Sequence, residues 1–571
     1  MAPERKLRRL SGGLNWTSQH RGDRLQMEDL SSKGNGVVSP LRRETFLFLA
    51  SAAVILTILV LIFVNPLRVN RDASLHLLIG RLLLGGAVPY VDYVEINPPL
   101  IHYLHVIPVA LAGWIGVNPI PVFLLIMLVL TVWSIGCAVY LLARNLEAEG
   151  YLIGGIVAFA VAILDLRLFT TNEFGQREHI FFLLVMPYVI LRWLRRRGEL
   201  TRGNRLALVV GATAGIGTFI KPHFLLIVVG LEVFWSYAEG GLLRQKKTES
   251  VSLLGVGVAY ALLLLLMPKE MREGLVVVVK SVLAGGYRAY GDQSPIGLIL
   301  DQDILLLLGL VPFLFVRVKA NRNDVESLIL TMSVFLLSSL VVYGSQARGF
   351  AYHLIPAMGA AYLVVFLVVF SVAPRFASIV WDSGGTRGNR PTATAKFGWL
   401  LTTTLVLIVV GKWIGDLSPN AIRGTASLPD ANIVAAIRDN STEDDGILVV
   451  STMAEPFRYV LQADRRLASK YIPTNPISFG VSGIHDVNEL YDPAYVLPES
   501  VQAYLNELEA SIAKDRPALI IIDNRKSCVG CPAEFQVTEF LRGRGVYAAV
   551  IASNYTLLLT SERIELYKRR G

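Results

Sequence analysis

Asn70 to Leu100 reads NRDASLHLLIGRLLLGGAVPYVDYVEINPPL, and its place in the chain decides how the rest is read. It follows directly on Thr45 to Val64, an apolar segment of the roughly 20 residues a helix needs to cross a bilayer. Asp72, Asp92 and Glu95 therefore sit at a membrane edge. A charged group at a bilayer centre costs about 2.5 to 3.5 kcal/mol on insertion scales, so acids at membrane level face a wet cavity and have a function.

Working outward, the composition agrees. The chain has 571 residues, is 53% hydrophobic and only 17% charged, and its mean hydropathy is +0.51, more apolar surface than one soluble core can bury. Further apolar segments run Val122–Leu142, Leu152–Phe169, Ile180–Leu194, Leu206–Ile220, Phe224–Tyr237, Val251–Met267, Ile299–Val316, Ser327–Tyr343, Ala351–Val372 and Phe397–Gly415. This is a polytopic α-helical membrane protein with about eleven crossings. Ile101 to Gly116, entered through Pro98 and Pro99 and carrying two His and Pro108, suits an interfacial or re-entrant helix better than a span.

Residues 1–43 form a basic tail without the short n-region of a secretory signal, expected to be cytoplasmic and disordered. Counting from there, every second loop is rich in Lys and Arg: Arg144; Arg192 to Arg205; Arg244, Lys246 and Lys247; Arg317, Lys319 and Arg322; Arg375, Arg387, Arg390 and Lys396. The bias places the N-terminus in the cytoplasm and the C-terminus outside, in a cell inner membrane. It also accounts for the net charge of +9, and no basic patch with interleaved aromatics points to nucleic acid. The membrane part spans 44–415, with a large outer loop at 66–118.

After Gly415 the pattern changes. Pro429 to Asn440 has helical periodicity, while Gly446–Ser451, Ala518–Asp523, Tyr547–Ala552 and Tyr555–Leu559 read as short strands. Residues 416–571 are thus expected to form a soluble α/β domain outside the membrane. Cys137 lies in a span and reads as packing; Cys528 and Cys531 read as a local disulfide on the oxidising face rather than a metal or redox site, since no other ligand is adjacent.

This topology collects the chemically suggestive residues on the outer side. They are Asp72, His76, Asp92, Glu95 and Asn97; TNEFGQREH, Thr171 to His179; Lys221-Pro222-His223; Tyr287 to Asp292; and QARGFAYHLIP, Gln346 to Pro356. Each has a structural alternative. Asp72 suits the N-cap of a helix Ala73–Leu84, Arg177 and Glu178 an ordinary loop ion pair, and Lys221 and His223 side chains snorkelling to the interface. Five such clusters on one face, with almost none buried elsewhere, favour a site.

These segments carry a resemblance. One span, an outer loop opening with an Asp, a helix, the pattern "G..PY.DY....PPL" and a juxtamembrane helix resemble the membrane glycosyltransferases of the GT-C fold. The resemblance is to the group of protein O-mannosyltransferases and of the aminoarabinose and galacturonic acid transferases of lipid A. QARGFAYHLIP and FGQREH resemble segments of its bacterial members. It implies transfer of a sugar from a polyprenyl-phosphate carrier to an envelope glycolipid, polysaccharide or protein acceptor.

Asp72 matches the first-loop acid, a general base or acceptor-positioning group; Glu173 and Glu95 are further catalytic candidates. A carboxylate can take the acceptor hydroxyl proton, while the leaving phosphate needs fixed cations. Arg177, Lys221, Arg348 and His353 are the candidates for that phosphate, and Asp92, Asn97, His223 and Tyr352 for other substrate contacts. Related transferases commonly carry a Lys before the paired prolines. Here Asn97 stands there, so Lys221 or Arg348 would have to supply that contact. A divalent metal is left as a candidate cofactor.

Nucleotide-sugar transfer fits poorly, because no Gly-rich phosphate loop follows a strand. A glycosidase pair, Asp72 with Glu173, has little need of so many spans. A transporter would place ionisable groups near span midpoints, and a non-catalytic polysaccharide-assembly protein would not need these acids.

Overall fold

The computed structural model describes residues 43–197, 205–239, 248–281, 297–298, 324–346, 348–372, 431–472, 476–477, 486–524, 534–561 and 564–571. The N-terminal tail, the expected spans Ile299–Val316 and Phe397–Gly415, Tyr287–Asp292 and the Cys528/Cys531 pair lie outside the described residues.

The membrane part is helical: α1 (Arg43–Val64), α2 (Arg71–Leu84), α3 (Pro99–Ile115), α4 (Pro119–Asn145), α5 (Glu147–Thr170), α6 (Arg177–Arg196), α7 (Arg205–Ile220), α8 (Phe224–Glu239), α9 (Thr248–Leu266), α10 (Lys269–Ser281), α11 (Asp324–Gln346) and α12 (Ile355–Leu367). Among the described residues six helices are long and apolar enough to cross a membrane, and three more are apolar but shorter. One of the shorter ones is α3. At 17 residues it spans about 25 Å, starts on Pro99 and shows Ile107, Leu111 and Trp114 outward while burying His102, His105 and Ala112. Gly80 lets α2 lie against it, since a Cβ there would come within 2.8 Å of the His105 carbonyl.

At the centre is α6, buried from Arg177 to Arg195. Its far end carries a second polar network. Arg192 holds Glu232 at 2.6 Å, Arg195 holds Glu249 at 2.8 Å, and Tyr188 donates to Glu232. Buried ion pairs therefore occur at both ends of the bundle, contrary to the expectation that they lie on one face. Helices α8 and α9 each bring one acid to α6, and a buried cation needs such a partner.

Residues from Ala431 onward build a five-stranded sheet of order β2-β1-β3-β5-β4, from β1 (Gly446–Val450), β2 (Arg466–Leu467), β3 (Leu519–Asp523), β4 (Tyr555–Ser561) and β5 (Ile564–Arg569). Strand β1 runs parallel to β2 and β3, and β5 is antiparallel to β3 and β4. The expected helix is α13 (Ala431–Asp439). The expected strand Tyr547–Ala552 is instead a π-helical turn, where three of six residues are Ala, a strong helix former, and only Ile551 is buried.

The sheet domain grips the loop 66–118. Val94 N–H donates to the Lys470 carbonyl at 2.8 Å, and Ile472 N–H donates to the Val94 carbonyl at 3.1 Å. Arg81 pairs with Asp464, and α14 (Glu455–Gln462) lies along α2, its Gln462 amide donating to the Leu67 carbonyl at 2.9 Å.

Candidate active site

Asn70, not Asp72, caps α2: its side-chain oxygen accepts from Ala73 N–H at 2.7 Å. Asp72 is thereby left in the first helical turn, half-buried, with its carboxylate outside the capping bond. The same Asn70 side chain donates to the Phe174 carbonyl at 2.7 Å. One amide thus fixes the helix carrying Asp72 against the loop carrying Glu173.

That loop, 171–176, folds back on α5. Glu173 and Phe174 N–H both donate to the Leu168 carbonyl, at 2.7 and 3.0 Å. Gly175 has φ +83, and a Cβ there would stand 2.6 Å from the Phe123 ring, so this turn requires glycine. Burial pushes the Glu173 carboxyl up to about 7; the Gln176 amide on its oxygen works against this, and the Asp72 charge adds to it.

Arg177 starts α6 and is buried; its guanidinium donates to the Asn97 side-chain oxygen. Asn97 in turn donates to Glu95 through its backbone N–H at 2.7 Å and its amide at 2.6 Å, and His102 closes on the same carboxylate at 2.9 Å. Glu95 is buried and surrounded by these donors, and so holds the paired-proline turn that presents Asn97 to Arg177. Asp92 is exposed and accepts from Val88 N–H at 2.7 Å, closing the preceding turn. Beneath Glu95, His76 lies 5.4 Å from the His102 ring and 5.2 Å from the His105 ring. Burial and these two rings hold it well below the ordinary imidazole value. No three His, Cys, Asp or Glu side chains among the described residues are arranged to hold a metal ion.

Glu178, which the sequence presents as half of a loop ion pair, is fully buried and organises the cations. Lys221 donates to it at 2.9 Å from the break between α7 and α8, and His353 Nε2 stands 3.8 Å from the same oxygen. Burial lowers the Lys221 ammonium despite Glu178. Asp72 lies within electrostatic range of Glu173, Arg177 and Lys221. Tyr352 stacks on Phe350 at 5.6 Å and meets the His353 ring edge-on at 4.4 Å. His223 is exposed beside Lys221, and Arg348 is half-buried five residues before His353. The structure thus brings together Asp72, Glu173, Asn97, Arg177, Lys221 and His353. It gives Glu95 and Asp92 structural partners, and it adds Asn70 and Glu178.

Neither a family model nor a curated protein sequence matches the chain. Among solved structures, ArnT from Cupriavidus metallidurans bound to undecaprenyl phosphate aligns over 92% of this chain and 98% of its own, with 13% identity and a TM-score of 0.53. Its apo form aligns over the same shares with 12% identity and a TM-score of 0.54. The archaeal oligosaccharyltransferase AglB from Archaeoglobus fulgidus, in complex with an inhibitory peptide and a dolichol-phosphate, covers 83% of this chain and 69% of its own at 12% identity and a TM-score of 0.42. The full-length agreement with ArnT shows that this chain has the GT-C fold, joined to a C-terminal sheet domain.

Proposed function

We propose that the protein is a membrane glycosyltransferase that moves a sugar from a polyprenyl-phosphate carrier to an acceptor hydroxyl on the outer face of the membrane. The observation that carries this is the buried cluster in which Glu178 holds Lys221 and His353 and Asn97 holds Arg177, with Asp72 in electrostatic range, in a fold shared with a transferase whose structure holds undecaprenyl phosphate.

Asp72 takes the proton as the acceptor oxygen bonds to the anomeric carbon. The bond from that carbon to the carrier phosphate breaks, and the phosphate leaves with its electron pair. Arg177 and Lys221 meet the charge growing on it, with His353 beside Lys221 and Arg348 as a further candidate cation. Glu178 holds Lys221 and His353 in place before the donor arrives. Asn97 does the same for Arg177, an orienting role in place of the phosphate contact that a Lys would make. An envelope glycolipid or polysaccharide, including lipopolysaccharide, or a secreted protein supplies the acceptor.

The test is the Asp72→Asn variant, reconstituted in liposomes with radiolabelled polyprenyl-phosphate sugars and envelope extract. Transfer should fall by about 100- to 10,000-fold, the usual contribution of a general base, with insertion unchanged. Near-normal transfer by the variant would remove Asp72 from the chemistry. Solute flux without glycosyl product would mark a transporter.

A further inference from the structure

Two fully buried ionisable side chains lie beside this pocket, and the proposed chemistry does not use them. Asp165 is inside α5, five residues from its end, and His179 is in the first turn of α6. The His179 Nε2 and Asp165 Oδ1 atoms are 2.8 Å apart, and Thr131 of α4 donates to Oδ2 at 2.5 Å. On the other side of the ring, Gly175 N–H donates to Nδ1 at 3.2 Å. Because Nδ1 accepts, the ring proton resides on Nε2 and is donated to the carboxylate.

A carboxylate in the apolar interior of a bundle is costly, and two well-packed apolar residues would fill the same space at less cost. What the pair does that apolar residues cannot is hold a backbone N–H in the middle of the 171–176 loop. The loop is clamped from two sides, by Asn70 at the Phe174 carbonyl and by His179 at Gly175 N–H. Glu173 and Arg177 flank the clamped residues. We propose that Asp165 and His179 are a positioning pair, the carboxylate fixing the imidazole tautomer and the imidazole fixing the loop, so that Glu173 and Arg177 stay against Asp72. The proposal rests on reading the Asp72 pocket as the transfer site.

The experiment uses the full chain in nanodiscs and undecaprenyl phosphate as the probe, with affinity and melting temperature measured together. The double variant Asp165→Leu/His179→Phe removes both buried ionisable groups at once and leaves the Gly175 N–H without its acceptor, so the melting temperature should fall modestly while the chain still folds. Its affinity for the probe should nevertheless fall between about 10- and 100-fold, the usual loss when one hydrogen bond to a charged group is displaced. Asp165→Asn, whose amide oxygen still accepts from Nε2, should stay within about threefold of wild type, as expected of a positioning role rather than a charge effect.

A double variant that binds like wild type overturns the proposal. Should it fail to fold, His179→Asn and His179→Leu decide. The Asn oxygen still accepts from Gly175 N–H and should bind the probe at least tenfold more tightly than Leu, and equal binding overturns the proposal. Arg177→Gln and Lys221→Gln serve as the control. If they leave affinity unchanged, the reading of the pocket fails; if they weaken it while the double variant does not, only the positioning pair fails.

Discussion

Asp72 and Glu173 carry the same functional group, and burial governs the behaviour of Glu173. Glu173 is held neutral up to about pH 7 by burial, against an ordinary value of 4.5. Its folded-state value is raised, so the stability it contributes is complete below the ordinary value and is lost as pH rises through about 7. Glu173→Gln should therefore flatten the fall in melting temperature between about pH 5 and 8, read by scanning fluorimetry. An unchanged slope would place the titration elsewhere.

Residue types in this site are legible in the sequence, whereas their pairings are not. Asp72, Arg177 and Lys221 stand out as charges at helix ends. Glu178 is passed over because an Arg-Glu dipeptide reads as a loop pair, and only the packing of α6 against the α7–α8 break turns it toward Lys221. Asp165 had a signal: it is an acid inside the expected span Leu152–Phe169, and such an acid is a candidate for function by its position alone.

At the scale of elements, Asn70 joins two that are a hundred residues apart in the chain. Its oxygen caps α2 and its amide nitrogen holds the Glu173 loop, so the two tasks can be separated by substitution. Asn70→Asp keeps the cap acceptor and loses the donor to Phe174; it should retain helix stability but transfer more slowly. Asn70→Ala should lose both, with about 1 kcal/mol of destabilisation from the missing cap, measured by thermal unfolding. Equal transfer rates for Asn70→Asp and wild type would show that the loop contact is idle.

Element boundaries follow apolar runs and caps closely where the run is long, as in α1, α4 and α5. The short runs are harder. Tyr547–Ala552 has the aromatic and β-branched residues of a strand, but β5 lies between β3 and β4, and β4 pairs with β5 alone among the described strands. Periodicity over six residues cannot register which ladders are already occupied.

For the whole molecule, the membrane-spanning helical character was legible because hydropathy acts over entire segments, whereas the GT-C arrangement was legible only through the resemblance of the short loop motifs. The orientation in the bilayer is the expectation to test. Reporter fusions after Lys247 and Arg390 should read cytoplasmic, and fusions after Gly286 and at Gly571 should read external. A cytoplasmic reading at Gly571 would put the Asp72 pocket on the wrong side for a carrier displayed outside.

What hydropathy could not indicate is how the sheet domain holds the membrane part. Val94 is stitched between Lys470 and Ile472, one residue before Glu95 and three before Asn97, whose side chain meets Arg177. The sheet domain is therefore a handle on Arg177. Any displacement of the sheet would shift this short lever, and the Asn97 contact with Arg177 would tighten or slacken with it.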